Sequence, residues 1–275
     1  MTEIPRRTVL KGIGAGTAIV AGATGSALGA TAGAAEENAG LRVAHASPDA
    51  PAVDVLVDGS AVVEGLEFGT VTDYLEVPPG EYEVAVNAAG TDQTVFGPVA
   101  VELEAAHYTA VARGEVTSED SEFTVSLFQD TYEGDLGDDE ARVRAIHASP
   151  DAPQVDVTVD DDALTVFDNV AYGESSGYTT VPAGTYDVEV RPCAGGDAVF
   201  EVSDVPLEGG TTYTVFAIGY LSPDDDPSDE SFRLKPVVDA SAPGDGSADE
   251  RVSTPRRRVR QSRLEEMLAR VGRPW

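Results

Sequence analysis

The sequence of 275 residues is poor in cysteine and in positive charge. Its one cysteine, Cys193, cannot form an internal disulfide, so the fold must be stabilised by packing. Between residues 36 and 250, only 7 basic residues stand against 46 acidic ones, a net charge of −39, and Lys235 is the single lysine there. Because such a body repels phosphate groups, the composition excludes nucleic-acid binding.

The negative charge itself predicts where the protein works. At ordinary ionic strength, repulsion among the carboxylates would destabilise the compact state. In molar salt the Debye length shrinks to about 3 Å, and high salt also strengthens the burial of apolar surface. We therefore expect a protein adapted to high salt. Valines and aromatic residues spaced two apart argue against the alternative for acidic chains, which is disorder.

Residues 1–34 are predicted to be an export signal that takes no part in the fold. Arg6 and Arg7 stand in a Pro-Arg-Arg-Thr-Val-Leu-Lys segment that resembles the twin-arginine motif, and a Gly/Ala-rich stretch follows at residues 12–30. The twin-arginine machinery is thus the expected export partner, with a membrane anchor as the alternative. No other segment is long and apolar enough to span a bilayer, so we expect no transmembrane segment in the mature chain.

An internal repeat dominates the rest of the chain. The motif His-Ala-Ser-Pro-Asp-Ala-Pro occurs at residues 45–51 and again at residues 147–153, and each copy is followed by Val-Asp-Val after one residue. Further matches, including Tyr74 with Tyr178, continue to the end of each copy. The sequence predicts two modules, residues 41–130 and 141–240. They are joined by an acidic linker, residues 131–140, and followed by a flexible tail, residues 241–275.

Each module is predicted to be all-β. Valines alternate with polar residues, as in residues 53–57 and 82–86, and turn pairs such as Asp58-Gly59 separate the runs. Many short strands in about 100 residues indicate a β-sandwich, in which two sheets bury their valine faces against each other. The Pro-x-Gly-x-Tyr hairpins resemble those of immunoglobulin-like and prealbumin-like modules. We expect one sheet-based core in each module and a short extended spacer between them, and the sequence leaves open whether the two modules pack together.

The repeated motif, together with the Phe/Tyr-Gly and Pro-x-Gly-x-Tyr elements, resembles a known family. Its members carry a domain of unknown function, singly or in tandem, in secreted bacterial and archaeal proteins. The resemblance covers residues 41–130 and 141–239, and it implies an extracellular β-sandwich with no established activity and no catalytic residues to transfer. The acidity and the N-terminal signal resemble those of halophilic archaeal members.

The repeated motif has two interpretations. In the favoured one, Pro48 and Pro51 stiffen the connection between the first two strands while serine and aspartate side chains bond nearby amides. In the other, paired imidazole and carboxylate groups bind a cation or a sugar. The candidate ligand-binding residues are His45, Asp49, Asp54, His147, Asp151 and Asp156. The identity of any metal stays open.

Other constellations point to solvated surface rather than to a site. The runs 160–162 and 224–226 are all aspartate, but neither fits a calcium-binding loop. The third histidine, His107, has a threonine, Thr212, at its repeat position. The body lacks the motifs of hydrolases, metalloproteases and nucleotide-binding proteins, so we expect no cofactor and no enzyme activity.

The C-terminal tail is basic, with a short apolar stripe at residues 264–271. The tail is either a frayed terminus or a segment that docks on the acidic modules, on an anionic surface or on a partner. Three hypotheses follow for the whole protein. The first is a secreted or cell-surface binding or structural protein with an unknown ligand. The second is an exported metal-binding protein or small hydrolase that uses the His/Asp motif. The third is a subunit held to another exported protein by its tail.

Overall fold

A computed structural model describes most of the two modules. The described residues are 38–118, 121–132, 134–160, 164–225 and 227–241. The predicted export signal with Arg6 and Arg7, the tail beyond residue 241, and three of the clustered aspartates (Asp161, Asp162 and Asp226) lie outside them. Within the described residues, no helix is long and apolar enough to cross a membrane.

Module 1 consists of eight strands in two four-stranded sheets. The strands are β1 (Ala39–His45), β2 (Val53–Val57), β3 (Ser60–Leu66), β4 (Leu75–Val77), β5 (Gly80–Ala88), β6 (Thr94–Leu103), β7 (His107–Arg113) and β8 (Thr124–Gln129). One sheet has the order β4-β1-β7-β8 and the other β3-β2-β5-β6. Each neighbouring pair is antiparallel except β1 and β7, which run parallel.

Module 2 repeats this topology. Its strands are β9 (Glu140–His147), β10 (Val155–Val159), β11 (Leu164–Val170), β12 (Thr179–Pro182), β13 (Gly184–Pro192), β14 (Phe200–Leu207), β15 (Thr211–Ile218) and β16 (Arg233–Ser241), with a 3-10 turn at Pro223–Asp225. The sheets have the orders β12-β9-β15-β16 and β11-β10-β13-β14. The predicted all-β class with two tandem sandwiches is confirmed.

Alternation along the strands directs one face of each sheet into its own sandwich. In β1, Val43 joins the core of module 1 with Val53 and Val86. In β9, Val143 joins the core of module 2 with Val155 and Val190, among others. These are the valine-lined faces that the two-residue period indicates.

The opposite face of β1 and β9 is also buried, because the two modules pack against each other. One apolar cluster contains side chains of both modules: Ala44, Ala46 and Val111 from module 1, and Ile146, Ala148, Phe216 and Ile218 from module 2. Each module has a core of its own, and the modules also share this cluster, a packing that the sequence alone left open. The sheets that contain β1 and β9 have two buried faces, and only one of these faces lies inside a sandwich.

Candidate functional site

The first copy of the repeated motif forms signature loop 1 (residues 45–51), between β1 and β2. His45 is only 1% exposed. Its Nε2 lies 3.0 Å from the carbonyl oxygen of Pro51, and its Nδ1 accepts a hydrogen bond from the amide of Ser47 at 3.3 Å. The Ser47 hydroxyl in turn donates to the carbonyl of Gly114 at 2.5 Å. The histidine therefore joins the two ends of its own loop.

Asp49 attaches the same loop to the segment after β7. Its carboxylate accepts hydrogen bonds from the amides of Val116 at 2.9 Å and Thr117 at 3.0 Å, and from the Thr117 hydroxyl at 2.7 Å. Asp54, in β2, accepts from the amides of Gly65 at 2.7 Å and Gly90 at 2.9 Å. Asp49 thus satisfies backbone donors of the segment after β7, and Asp54 satisfies the amide of Gly65 in β3, where the pairing with β2 is irregular, and that of Gly90 after β5.

Signature loop 2 (residues 147–153) repeats this arrangement. His147 Nε2 lies 3.0 Å from the carbonyl oxygen of Pro153. Asp151 accepts from the amides of Leu221 at 3.0 Å and Ser222 at 2.9 Å, and Asp156 accepts from the amide of Asn169 at 2.7 Å. The two copies agree in all three contacts, so the motif builds the same rigid connection in each module.

The structure therefore places all six predicted ligand-binding residues but does not gather them into one site. Each imidazole is buried under its own loop, and each carboxylate accepts hydrogen bonds from backbone amides. Among the described residues, no three His, Cys, Asp or Glu side chains are positioned to hold a metal ion together. Ligand binding through these six residues stays a prediction.

The two buried histidines make stability depend on pH. Burial lowers the pKa of His45 and His147, although their hydrogen bonds to proline carbonyls act in the opposite direction. The geometry agrees, because Nδ1 of each ring accepts an amide hydrogen and cannot also carry a proton. The unfolded chain therefore takes up protons first. Stability is complete above the unfolded pKa of about 6.5 and is lost as the pH falls below it.

We expect the free energy of unfolding to fall by up to about 1.4 kcal/mol for each histidine between pH 7.5 and 5.5. Denaturant unfolding in molar KCl, followed by circular dichroism at several pH values, measures this loss. The His45→Gln/His147→Gln variant should show a shallower pH dependence. Equal slopes for the parent and the double variant would contradict the expectation.

A buried polar network joins the modules at the outer faces of β1 and β9. Arg42 donates from Nε to the Thr109 hydroxyl in its own module at 2.8 Å, and its Nη2 pairs with Asp239 of module 2 at 2.6 Å. The side chains of Arg42 and Asp239 are 1% and 0% exposed. The guanidinium also lies 4.8 Å from the centre of the Tyr74 ring. Burial lowers the pKa of Arg42, but Asp239, Tyr74 and Asp130 together raise it above the usual value.

The second copy of the repeat makes the equivalent contacts with the roles of the two modules exchanged. Arg144 donates from Nε to the Thr214 hydroxyl at 2.8 Å, pairs with Asp130 of module 1, and lies 4.6 Å from the centre of the Tyr178 ring. The Tyr178 hydroxyl donates to Asp239 at 2.6 Å, as Tyr74 donates to Asp130 at 2.5 Å. Each arginine thus binds the threonine of its own module and the aspartate of the other, so the two ion pairs cross the interface in opposite directions.

The interface takes up most of the positive charge of the acidic body. Of the 7 basic residues between residues 36 and 250, four contact the opposite module. Besides Arg42 and Arg144, these are Arg113, which stacks on Tyr172, and Arg233, which stacks on Phe68. Arg142 donates to the carbonyl of Gly134 in the linker at 3.2 Å. Almost all the charge left on the outer surface is therefore negative.

The segments around the signature loops also touch across the interface. Glu115, next to Gly114, accepts a hydrogen bond from the hydroxyl of Tyr220 at 2.8 Å. The Ser228 hydroxyl donates to the carbonyl of Pro48 at 2.9 Å. Signature loop 1 is therefore braced by its own module and also contacts module 2, both directly at Pro48 and beside its anchor at Gly114.

A model of the family described as Domain of unknown function (DUF4397) matches residues 39–158 and residues 141–253. Together these matches cover most of the chain, which therefore belongs to that family as a tandem-repeat member. No curated protein matches the sequence. The chain is also similar to a solved structure described as a "putative cell adhesion protein" of Bacteroides eggerthii. The identity is 12%, the TM-score is 0.19, and the match covers 74% of this chain and 95% of the other.

Sequence reasoning missed the crossed network, although a signal for it exists. Arg42 and Arg144 occupy the same repeat position, as do Tyr74 and Tyr178. Thr109 pairs in the repeat with Thr214. Because the body has so few basic residues, an arginine at the same position of both copies indicates that the two arginines have the same structural role. The sequence could not show, however, that each arginine pairs with an aspartate of the opposite module.

Proposed function

We propose that this chain is an exported, non-catalytic binding or structural protein that works outside the cell or on its surface at high salt. The observation that supports this most is that the most distinctive polar residues of both modules serve internal contacts. The imidazoles and carboxylates of the signature loops hold loop backbone, and the arginines hold the modules together. What remains is a rigid pair of sandwiches whose loops and strand edges are available for contacts.

The charge distribution supports the high-salt setting. Because four basic residues are committed to the interface, the outward surface has few cations with which to form ion pairs. The carboxylates repel one another unless dissolved salt screens them. The interface pairs themselves are buried and are screened much less. A protein built in this way keeps its inner contacts in molar salt and remains soluble through its acidic exterior.

Export through the twin-arginine route is tested directly in a halophilic host. Changing Arg6 and Arg7 to lysine is expected to leave the protein in the cytoplasm, because that pathway reads the arginine pair. Fractionation of cells and medium followed by immunoblotting measures the distribution. The matched control changes two tail arginines, Arg256 and Arg257, to lysine and should be exported as the parent is. Secretion of the Arg6→Lys/Arg7→Lys variant at parental levels would refute the route.

The rival assignment, an exported metal-binding protein, is tested on protein purified from the same host at native salt. Metal content is measured by mass spectrometry for the parent and for an Asp49→Asn/Asp151→Asn variant. The proposal expects less than stoichiometric metal in both. Stoichiometric metal in the parent that disappears in the variant would overturn it in favour of an exported metal-binding protein.

A further inference from the structure

The interface between the modules has the form of a twofold-symmetric dimer built within one chain. Strands β1 and β7 of module 1 meet their repeat counterparts β9 and β15, and the contacts occur in exchanged pairs. Arg42 Nη2 donates to the Thr214 hydroxyl at 3.1 Å, and Arg144 Nη2 donates to the Thr109 hydroxyl at 3.2 Å. An interface in which the same patch appears on both sides is isologous. Two like modules could present these faces to each other as well, so the differences between the faces decide which modules pair.

The first difference lies on the approximate twofold axis. Glu115 and Tyr220 occupy the same repeat position, since each follows the glycine whose carbonyl accepts the hydroxyl of a signature-loop serine. They also contact each other, with the Tyr220 hydroxyl donating to Glu115 Oε1 at 2.8 Å. Only 8% and 1% exposed, the two side chains are poorly screened even in molar salt. Two module 1 faces would place two buried carboxylates together, and two module 2 faces would bring a second ring into the space of a carboxylate.

The second difference is the size of the apolar side chains at the centre of the interface. Module 2 contributes Ile146 and Phe216, which are partners in the register of β9 with β15. Module 1 has Ala44 and Val111 at the same repeat positions, and these are partners in the register of β1 with β7. All four side chains belong to one buried cluster. The centre is therefore filled by one large pair of side chains and one small pair.

This inequality penalises the pairing of like modules. Two small pairs would leave a void at the centre of the interface, and two large pairs would overfill it. At the margin of the cluster the order of sizes is reversed, because Phe128 of module 1 stands at the repeat position of Val237 in module 2. The two faces are thus complementary in size as well as in charge, and each fits the unlike module better than a copy of itself.

We propose that each face also accepts the unlike module of a second copy of this chain, so that two chains pair by reciprocal exchange of modules, and that Glu115 and Tyr220 select the unlike module. None of the contacts between the two faces requires that both modules belong to one chain. The linker, residues 131–139, reaches about 30 Å when extended and favours pairing within the chain through a high effective concentration. The parent therefore closes on itself in dilute solution. The proposal goes beyond the proposed function and does not rest on it.

The test uses two full-length variants that are each mismatched within one chain but match each other. Tyr220→Glu has a glutamate on both sides of the axis, and Glu115→Tyr has a tyrosine on both sides. The two are unfolded together, refolded as an equal mixture in molar KCl and separated by size-exclusion chromatography. Native mass spectrometry after exchange into ammonium acetate then counts the dimers. Dimers with one chain of each kind should exceed like dimers by about tenfold or more, whereas random pairing gives equal amounts.

Three controls accompany the mixture. The parent, refolded at the same concentration, should give far less dimer. The Glu115→Tyr/Tyr220→Glu chain restores a matched pair and should melt at a higher temperature than either single variant. If a single variant does not fold alone, circular dichroism should show β-structure only in the mixture. A mixture that stays monomeric or unfolded, like and unlike dimers in equal amounts, or as much dimer from the parent as from the mixture would overturn the proposal.

Discussion

Replacing Asp130 by alanine is expected to lower the free energy of unfolding by about 3–5 kcal/mol, one of the largest effects of any single substitution in the chain. The carboxylate is fully buried, pairs with Arg144 across the interface and accepts hydrogen bonds from Tyr74 at 2.5 Å and Thr109 at 2.8 Å. Without it, the Arg144 guanidinium remains buried with no counter-ion. Denaturant unfolding followed by circular dichroism in molar KCl measures the loss.

The control for this variant is Glu230→Ala, which removes the same charge from a surface ion pair. Arg233 and Glu230 are 40% and 44% exposed, so their pair is worth about 0–1 kcal/mol. The Asp130→Ala loss should also change little as KCl is raised, since a buried pair is poorly screened. Similar losses for the two variants would show that the crossed pairs do not hold the modules together. The apolar pair Asp130→Leu/Arg144→Met should recover part of the stability.

Replacing Phe216 by alanine is expected to cost a similar amount, about 3–5 kcal/mol, and to loosen both modules. Phe216 lies in β15 of module 2 and is 1% exposed, within the apolar cluster that also contains Ala44 and Val111 of module 1. The cavity would therefore open at the interface rather than inside one sandwich. Hydrogen exchange measured by mass spectrometry should show faster exchange in β1 and β7 as well as in β9 and β15.

An exposed valine of the neighbouring strand provides the comparison. Val238 is 53% exposed, and Val238→Ala should change the free energy of unfolding by no more than about 0.5 kcal/mol. If Phe216→Ala speeds exchange in module 2 alone, the modules unfold separately, as the repeat by itself suggests. Coupled loss of protection would establish that the tandem pair is one cooperative unit.

The sandwich fold was predictable because its determinants are local. Alternating valines such as Val53 and Val55 define one buried face, and turn pairs such as Asp58-Gly59 separate neighbouring strands. The proline and short polar residues of the repeated motif predicted a stiff connection between the first two strands of each module, and the structure has the motif at that place. The contact partners of Asp49 were not predictable, since Val116 and Thr117 lie 67 and 68 residues further along the chain.

The interface escaped sequence reasoning for a different reason. In β1, Arg42 stands between apolar residues, which is the pattern of a strand with one face in water. The same pattern holds for Arg144 in β9. Period-two alternation distinguishes the core face from the other face, but it does not tell whether the other face meets water or a second module.

The sequence by itself determined the all-β class, the duplication and the acidic character of the body, because composition, period and repetition are local properties. Only the tertiary structure decided that the two sandwiches share a buried interface and that their arginines pair crosswise with aspartates of the opposite module. Those features depend on which surfaces meet in space. Contacts between residues far apart in the sequence produce no periodic pattern from which they could be predicted.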